Sequence, residues 1–209
     1  MIKDWLKAFR LRTLPLSLSC ILLGSALAMA DRYFNMAVFI LAITTTIFLQ
    51  ILSNLSNDYG DSIHGADNAE RIGPKRAVQS GAITAQQMKK AMIIFVILSL
   101  ISGIALVYEG TKDIELGYAL LFILLGIGAI AAAIKYTAGK NPYGYRGFGD
   151  LFVFLFFGIV GVIGTYYLHH HELQSALLLP ASSVGFLSTA PSKIENNNVE
   201  SAIFFQLRI

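Results

Sequence analysis

Long apolar runs constrain the fold of this chain more than any other feature of its sequence. A helix needs roughly 20 apolar residues to cross a bilayer core about 30 Å thick. Six runs approach or reach that length, at residues 14–30, 36–55, 91–108, 116–134, 151–168 and 173–190. The last is the weakest, because Pro180 and small polar residues interrupt it. We therefore predict an all-α membrane protein, a multi-spanning helix bundle with about six transmembrane helices.

The composition agrees with a chain that is embedded in lipid. Charged residues make up 14% of the sequence, against about 25% in soluble domains. Hydrophobic residues make up 55%, which excludes an intrinsically disordered chain. The lone Cys20 excludes an internal disulfide and a cysteine-rich metal site. We expect membrane lipid as a partner and no nucleic acid.

Basic residues alternate between the loops. They are concentrated before the first run, in loop 56–90 and in loop 135–150, whereas the loops between hold few lysines or arginines. Loops rich in Lys and Arg stay in the cytoplasm. We therefore predict a cytoplasmic N-terminus and place the two long polar loops, with the active face, on the cytoplasmic side of a bacterial inner membrane.

The first residues have a pattern of their own. Apolar side chains recur at helical spacing among basic ones, at Ile2, Trp5, Leu6 and Phe9. This predicts an amphipathic stretch that lies in the headgroup layer. A cleaved signal peptide is the alternative, since the alanines at 26, 28 and 30 offer small-residue cleavage sites.

The first polar loop opens with an acidic motif. Asn57, Asp58 and Asp61 follow an apolar helix, and residues four apart share a helix face. Crowded carboxylates favour a cation between them, and oxygen ligands without cysteine favour Mg²⁺ over Zn²⁺. Because Mg²⁺ in proteins usually also binds substrate phosphates, the motif predicts an anionic partner. The alternative is a solvated helix end that caps the next segment.

A basic run follows in the same loop. Arg71, Lys75 and Arg76 supply positive charge 10–15 residues after the carboxylates. Acidic groups that hold a metal and basic groups that hold phosphate oxygens together predict a diphosphate site. The alternative is that the basic residues merely keep the loop in the cytoplasm.

The second polar loop carries aromatic and basic residues. Lys140 and Arg146 add donors, and three tyrosines could form a wall against an aromatic or isoprenoid ligand: Tyr136, Tyr143 and Tyr145. Asp150 begins the fifth apolar run, where a carboxylate is costly unless it has a function. The alternative is an ordinary loop with tyrosines at the membrane interface.

Two further patterns predict structure rather than chemistry. The glycines of runs four and five predict close helix packing: Gly126, Gly128, Gly158, Gly161 and Gly164. The run His169 to Glu172 predicts an exposed loop on the side opposite the two polar loops.

The polar loops resemble those of a known family. Residues 57–61, Asn-Asp-Tyr-Gly-Asp, resemble the first aspartate-rich motif of the UbiA-type intramembrane prenyltransferases. Residues 65–81 and 142–154 are similar to the menaquinone branch of that family, in which the third acid falls at Asp67. The similarity covers roughly residues 5–190, which we interpret as the N-terminal two-thirds of one UbiA-type domain.

The resemblance implies a fold, a reaction and a set of residues. It implies nine transmembrane helices, with Asn57, Asp58, Asp61 and Asp67 holding Mg²⁺ on a polyprenyl diphosphate. Arg76 and Ser80 would flank the diphosphate, and Tyr136 and Lys140 match a Tyr-x-x-x-Lys pair whose lysine touches phosphate. Asp58, Asp61 and Lys140 would be catalytic. The acceptor would be 1,4-dihydroxy-2-naphthoate, which is prenylated with loss of CO₂ during menaquinone biosynthesis.

The end of the chain departs from the family pattern. No aspartate follows Asp150, whereas the family places a second aspartate-rich motif after the sixth span. We expect residues 191–209 to be a poorly ordered tail from outside the family. We therefore expect this chain alone to be inactive or nearly so, because a lost metal clamp removes several kcal/mol of transition-state stabilisation, at about 1.36 kcal/mol per tenfold in rate.

Two other functions stay open at this point. The chain could be a non-catalytic membrane protein that binds isoprenoid diphosphates or scaffolds quinone assembly. It could also be a UbiA-type enzyme with another aromatic acceptor, although the position of Asp67 argues against that.

Overall fold

The computed structural model describes residues 1–64, 76–139, 141–144 and 148–196. Within these ranges the chain is helical and contains no strand. Its helices are α1 (Ile2–Phe9), α2 (Leu14–Ala30), α3 (Met36–His64), α4 (Ala85–Thr111), α5 (Leu116–Lys135), α6 (Gly149–His170) and α7 (Leu178–Asn196). We call the end of the bundle where α3 finishes the motif end, and the opposite end the histidine end.

The predicted multi-spanning bundle is confirmed. In the part of the chain that the structure describes, five helical stretches are long and apolar enough to cross a membrane: Ile2–Ala30, Met36–His64, Ala85–Thr111, Leu116–Lys135 and Gly149–His170. The sixth predicted span is a shorter apolar helix, Ser175–Thr189. Pro180 does not interrupt it, because proline is tolerated in the first turn of a helix and α7 begins at Leu178.

The length of α3 sets the depth of the motif end. Its 29 residues extend about 43 Å, at roughly 1.5 Å per residue. This exceeds a bilayer core of about 30 Å, so the last turns of α3 emerge from the hydrocarbon. Those turns carry Asn57, Asp58 and Asp61.

A side-chain cap begins α4 on the same side. Thr84 Oγ1 accepts a hydrogen bond from the Gln87 amide at 3.2 Å, and Gln87 Oε1 accepts one from the Thr84 amide at 2.9 Å. This capping box satisfies backbone donors that a helix start leaves unpaired. The cap therefore ends the loop after α3 at a defined residue.

Exposed isoleucines on α4 face away from the bundle. Ile93, Ile97 and Ile101 are each at least half exposed and recur at helical spacing. In a chain of this hydropathy, this face of α4 is the one that contacts lipid.

Glycines bring α6 against its neighbours. The middle of α6, Phe154–Gly164, is π-helical. A Cβ on Gly158 would lie 2.7 Å from the Ala181 carbonyl oxygen, and one on Gly161 would lie 2.8 Å from Cys20 Sγ. The packing prediction is confirmed for these two glycines. It is wrong for Gly126, where a Cβ would have no neighbour within 4 Å.

The histidine end corrects a second prediction. α6 continues to His170, and His169 is only 6% exposed, so the predicted exposed loop is wrong for that residue. Its Nδ1 accepts a hydrogen bond from the Asn35 amide at 3.1 Å, which leaves the proton on Nε2, 3.1 Å from Ser25 Oγ. His169 thus joins α2, α6 and the start of α3.

Gly24 tests the packing of α2 on α6. A Cβ there would lie 2.5 Å from the Val162 carbonyl oxygen, so the two backbones must separate. We expect Gly24→Ala to lower stability by about 1–3 kcal/mol, measured by thermal unfolding in detergent. Gly117→Ala on α5 is the matched control, because a Cβ there meets nothing within 4 Å. Equal stability of the two variants would contradict this contact.

Candidate functional site

A large apolar cavity lies between helices α2 to α6. Its volume is about 500 Å³, and its wall is mostly aliphatic and aromatic. Along α3 it extends from Ala42 to Asn57, which is about 22 Å at roughly 1.5 Å per residue. Asn57, Tyr136 and Tyr143 line it at the motif end. The cavity therefore runs through the bundle and ends at the predicted polar loops.

The two polar loops meet at Thr137. Its hydroxyl lies 2.9 Å from the Ser56 carbonyl oxygen and 3.0 Å from Asn57 Oδ1. A Cβ on Gly60 would lie 2.4 Å from the Thr137 carbonyl oxygen, so only glycine permits this approach. The end of α3 therefore packs directly on the loop that follows α5, as a site built from both loops requires.

Asp58 organises the turn before α4. Its side chain is 2% exposed, and its two oxygens accept hydrogen bonds from the backbone amides of Ala77 at 3.1 Å and Val78 at 3.3 Å. Hydrogen bonds to a carboxylate are stronger than those between neutral groups. Asp58 therefore fixes the turn that carries Arg76. Its role as a metal ligand stays a prediction.

Asp61 forms an ion pair with Arg76. The Arg76 guanidinium contacts Asp61 Oδ2 and also donates from Nη1 to the Asn57 carbonyl oxygen at 2.6 Å. The exposed fractions of the two side chains are 13% for Arg76 and 9% for Asp61. Removing one partner of such a buried pair leaves a charge that costs several kcal/mol. Arg76 thus lies where it can meet an anion that approaches Asn57 and Asp61.

Aromatic side chains form the wall beside this polar end. The rings of Tyr136 and Tyr143 are 5.4 Å apart, those of Tyr143 and Phe152 are 4.3 Å apart, and those of Phe152 and Phe156 are 6.3 Å apart. The Tyr143 hydroxyl donates to the Ala132 carbonyl oxygen at 2.9 Å. Aromatic faces can stabilise a nearby cation without offering it a nucleophile.

The remaining predicted residues have different positions. Ser80 is exposed and donates to the Ala77 carbonyl oxygen at 3.2 Å. Asp150 lies in the first turn of α6 and is half-buried. Six predicted residues lie outside the described ranges, so their roles stay predictions: Asp67, Arg71, Lys75, Lys140, Tyr145 and Arg146.

Sequence reasoning missed three contributors to the site. Thr137 joins the two loops, and Gly60 permits the close contact between these loops. Phe152 extends the aromatic wall. The position of Gly60 inside the acidic motif was the available signal. Thr137 and Phe152 gave none, because their roles depend on the packing of α3 against the loop after α5.

The donor chemistry at the motif end fits a divalent metal. Within the described ranges no three His, Cys, Asp or Glu side chains form a metal cluster. The predicted set uses the amide of Asn57 with two carboxylates, and Asp67 lies outside those ranges. Two buried carboxylates within one turn of α3 repel each other, and oxygen donors suit a hard cation.

The structure is therefore a helical membrane bundle with an apolar cavity that reaches the motif end at Asn57. The chain belongs to the UbiA prenyltransferase family, whose model matches residues 17–196. The resemblance seen in the sequence is thereby confirmed.

Relatives of known function are similar over most of this chain. The 1,4-dihydroxy-2-naphthoate octaprenyltransferase of Escherichia coli is 48% identical over 92% of this chain and 62% of its own length. That of Haemophilus influenzae is 46% identical over 93% of this chain and 63% of its own length. The chain thus spans a little less than two-thirds of these relatives. No solved structure matches it.

Asp58→Asn tests the capping role of that carboxylate. Asparagine keeps one acceptor oxygen and places an NH2 donor where the second carboxylate oxygen accepted, so one of the two backbone amides loses its acceptor. We expect the amides of Ala77 and Val78 to exchange hydrogen about tenfold faster, which corresponds to the loss of one charge-assisted bond. The exposed Asp113→Asn is the control. Unchanged exchange with altered metal affinity would instead favour a metal ligand.

Tyr143 tests the aromatic wall through its titration. Burial, with a smaller effect of Tyr136, raises the pKa of the Tyr143 phenol from 10.0 to about 12. The neutral phenol is favoured in the fold, so its stabilisation is complete below pH 10 and disappears as the pH rises towards 12. The tyrosinate absorbance of the wild type minus that of Tyr143→Phe should show this step. A step near 10 would contradict a buried ring.

Proposed function

We propose that this chain transfers a polyprenyl group from polyprenyl diphosphate to 1,4-dihydroxy-2-naphthoate with loss of CO₂, in menaquinone biosynthesis. The observation that carries the proposal is the apolar cavity of about 500 Å³ that ends at Asn57, beside the pair of Asp61 and Arg76. The naphthoate acceptor and the octaprenyl donor are taken from the names of the relatives.

Substrate binding follows the polarity of the cavity. The polyprenyl tail occupies the apolar part, because burial of apolar surface is favourable and no charged group among the described residues lines that wall. The diphosphate lies at the motif end, near the Arg76 guanidinium. Lys140 would touch phosphate by the family resemblance, and Arg71, Lys75 and Arg146 would add positive charge as basic residues of the two polar loops.

A divalent metal completes the charge balance in this proposal. Asn57 and Asp61, with Asp58 and Asp67 by resemblance, would hold Mg²⁺. The ion would neutralise negative charge on the departing diphosphate. We place this face of the protein in the cytoplasm, from the distribution of Lys and Arg.

The chain's own residues then serve each step of the transfer. When the allylic carbon–oxygen bond breaks, its electron pair leaves with the diphosphate, which Arg76 stabilises. Tyr136, Tyr143 and Phe152 shield the allylic cation from water. The naphthoate ring carbon that carries the carboxylate attacks the cation. The bond to the carboxylate then breaks, CO₂ leaves and the electron pair returns to the ring.

Binding and turnover of defined substrates test this function. Membranes that contain only this chain would receive octaprenyl diphosphate, 1,4-dihydroxy-2-naphthoate and Mg²⁺, with the Escherichia coli relative in parallel. We expect metal-dependent donor binding that chelation abolishes, and prenylated product that requires both substrates. Asp61→Ala should weaken donor binding at least tenfold, or about 1.4 kcal/mol, whereas Asp113→Asn should not change it.

The outcomes separate the candidate functions. Product that disappears with Asp61→Ala supports the transferase. Metal-dependent binding without any product favours the non-catalytic isoprenoid-binding protein. Product with another aromatic acceptor, and none with the naphthoate, would assign a different enzyme of the family.

A further inference from the structure

The surface of α1 divides into three arcs. At about 100° per residue, one arc contains Trp5, Ala8 and Phe9, which pack on the apolar cluster between α3 and α4. The next arc contains Ile2 and Leu6, which remain 79% and 47% exposed. The protein thus covers only part of the apolar face of α1.

A basic arc borders the exposed apolar arc. It contains Lys3 and Lys7, which are both exposed, and Arg10 follows as the C-terminal cap of α1. Asp4, on the far side of that arc, forms an ion pair with the amino group of Met1 at 2.9 Å. An apolar edge beside a cationic edge is the arrangement of a helix that lies between acyl chains and phosphate headgroups.

Hydrogen bonds at the end of α1 fix which arc faces outward. Asn54 Nδ2 lies 2.9 Å from both the Phe9 carbonyl oxygen and Thr13 Oγ1. Gln50 Nε2 donates to the same threonine at 3.1 Å. Because Asn54 is 3% exposed on α3, α1 cannot roll without breaking its hydrogen bond to this residue.

The same apolar cluster contacts the turn that carries Arg76. Ala8 is part of the cluster, and Ala77 and Val78, which belong to the turn before α4, pack against it. A contact that restrains α1 therefore also restrains that turn, through the shared cluster.

We propose that α1 is a binding surface for anionic phospholipid headgroups, with Lys3 and Lys7 contacting phosphate and Ile2 and Leu6 inserted among acyl chains. Through the shared cluster, this lipid contact steadies the turn at Ala77 and Val78. The surface is separate from the cavity, so the proposal does not depend on any catalytic activity.

Lipid selectivity tests the surface. The full chain would be purified from bilayers of equal parts phosphatidylcholine and phosphatidylglycerol, and the ratio of the two lipids that remain bound would be measured. We expect enrichment of phosphatidylglycerol in the wild type. A juxtamembrane lysine contributes roughly fivefold in affinity for an anionic surface, so Lys3→Gln with Lys7→Gln should lower the enrichment several-fold.

Matched variants separate this surface from general charge. Lys89 and Lys90 are exposed at the same end of the bundle, and replacing both by Gln removes the same charge. We expect that variant, and Lys3→Arg with Lys7→Arg, to keep the enrichment. An equal loss with the Lys89 and Lys90 variant, or no enrichment in the wild type, would overturn the proposal.

Hydrogen exchange tests the link to the turn. Phosphatidylglycerol should slow exchange of the Ala77 and Val78 amides in the wild type, and should not do so in the variant with Gln at positions 3 and 7. Exchange that is independent of lipid in the wild type would overturn the link. Neither measurement requires substrate, so both outcomes are independent of the prenyl-transfer assay.

Discussion

Two buried carboxylates at the end of a membrane-spanning helix must find partners, and the motif end is arranged around that requirement. Asp58 accepts hydrogen bonds from the amides of the turn before α4, and Asp61 forms an ion pair with Arg76. Unpaired, either charge would cost several kcal/mol in this environment. Side chains of α3 therefore fix the conformation of this turn, although residues 65–75 separate the turn from α3 along the chain.

The cavity depends on glycines, which have no side chain, as much as on the larger residues that line it. Gly103 and Gly126 both line the cavity, and a Cβ on Gly126 would meet nothing within 4 Å, so a larger residue there would extend into the open space. The charged groups stand at one end of an apolar wall. Because a low dielectric strengthens electrostatic interactions, Arg76 acts more strongly on an anion there than it would in water.

The features that were predicted correctly from the sequence are those that depend on a local pattern of residues. Five spans follow from apolar length, and the acidic motif follows from the spacing of Asn57 and Asp61 on one helix face. The contact between Thr137 and Asn57 joins residues 80 positions apart, and no local periodicity carries that information. His169 was predicted wrongly because its polarity indicated a loop, whereas Asn35 and Ser25 satisfy both ring nitrogens inside the bundle.

α1 and the polar end of the cavity lie at the same depth in the bilayer. Asn57 lies about 31 Å along α3 from Met36, at roughly 1.5 Å per residue, so it stands where a hydrocarbon core of about 30 Å ends. α1 packs against the same part of α3, through Leu52 and Leu55. Phosphates of neighbouring lipids and the head of an amphiphile in the cavity would thus lie at one height. In the proposed reaction, a long-tailed substrate would therefore present its head to Arg76 while its tail stays in an apolar environment.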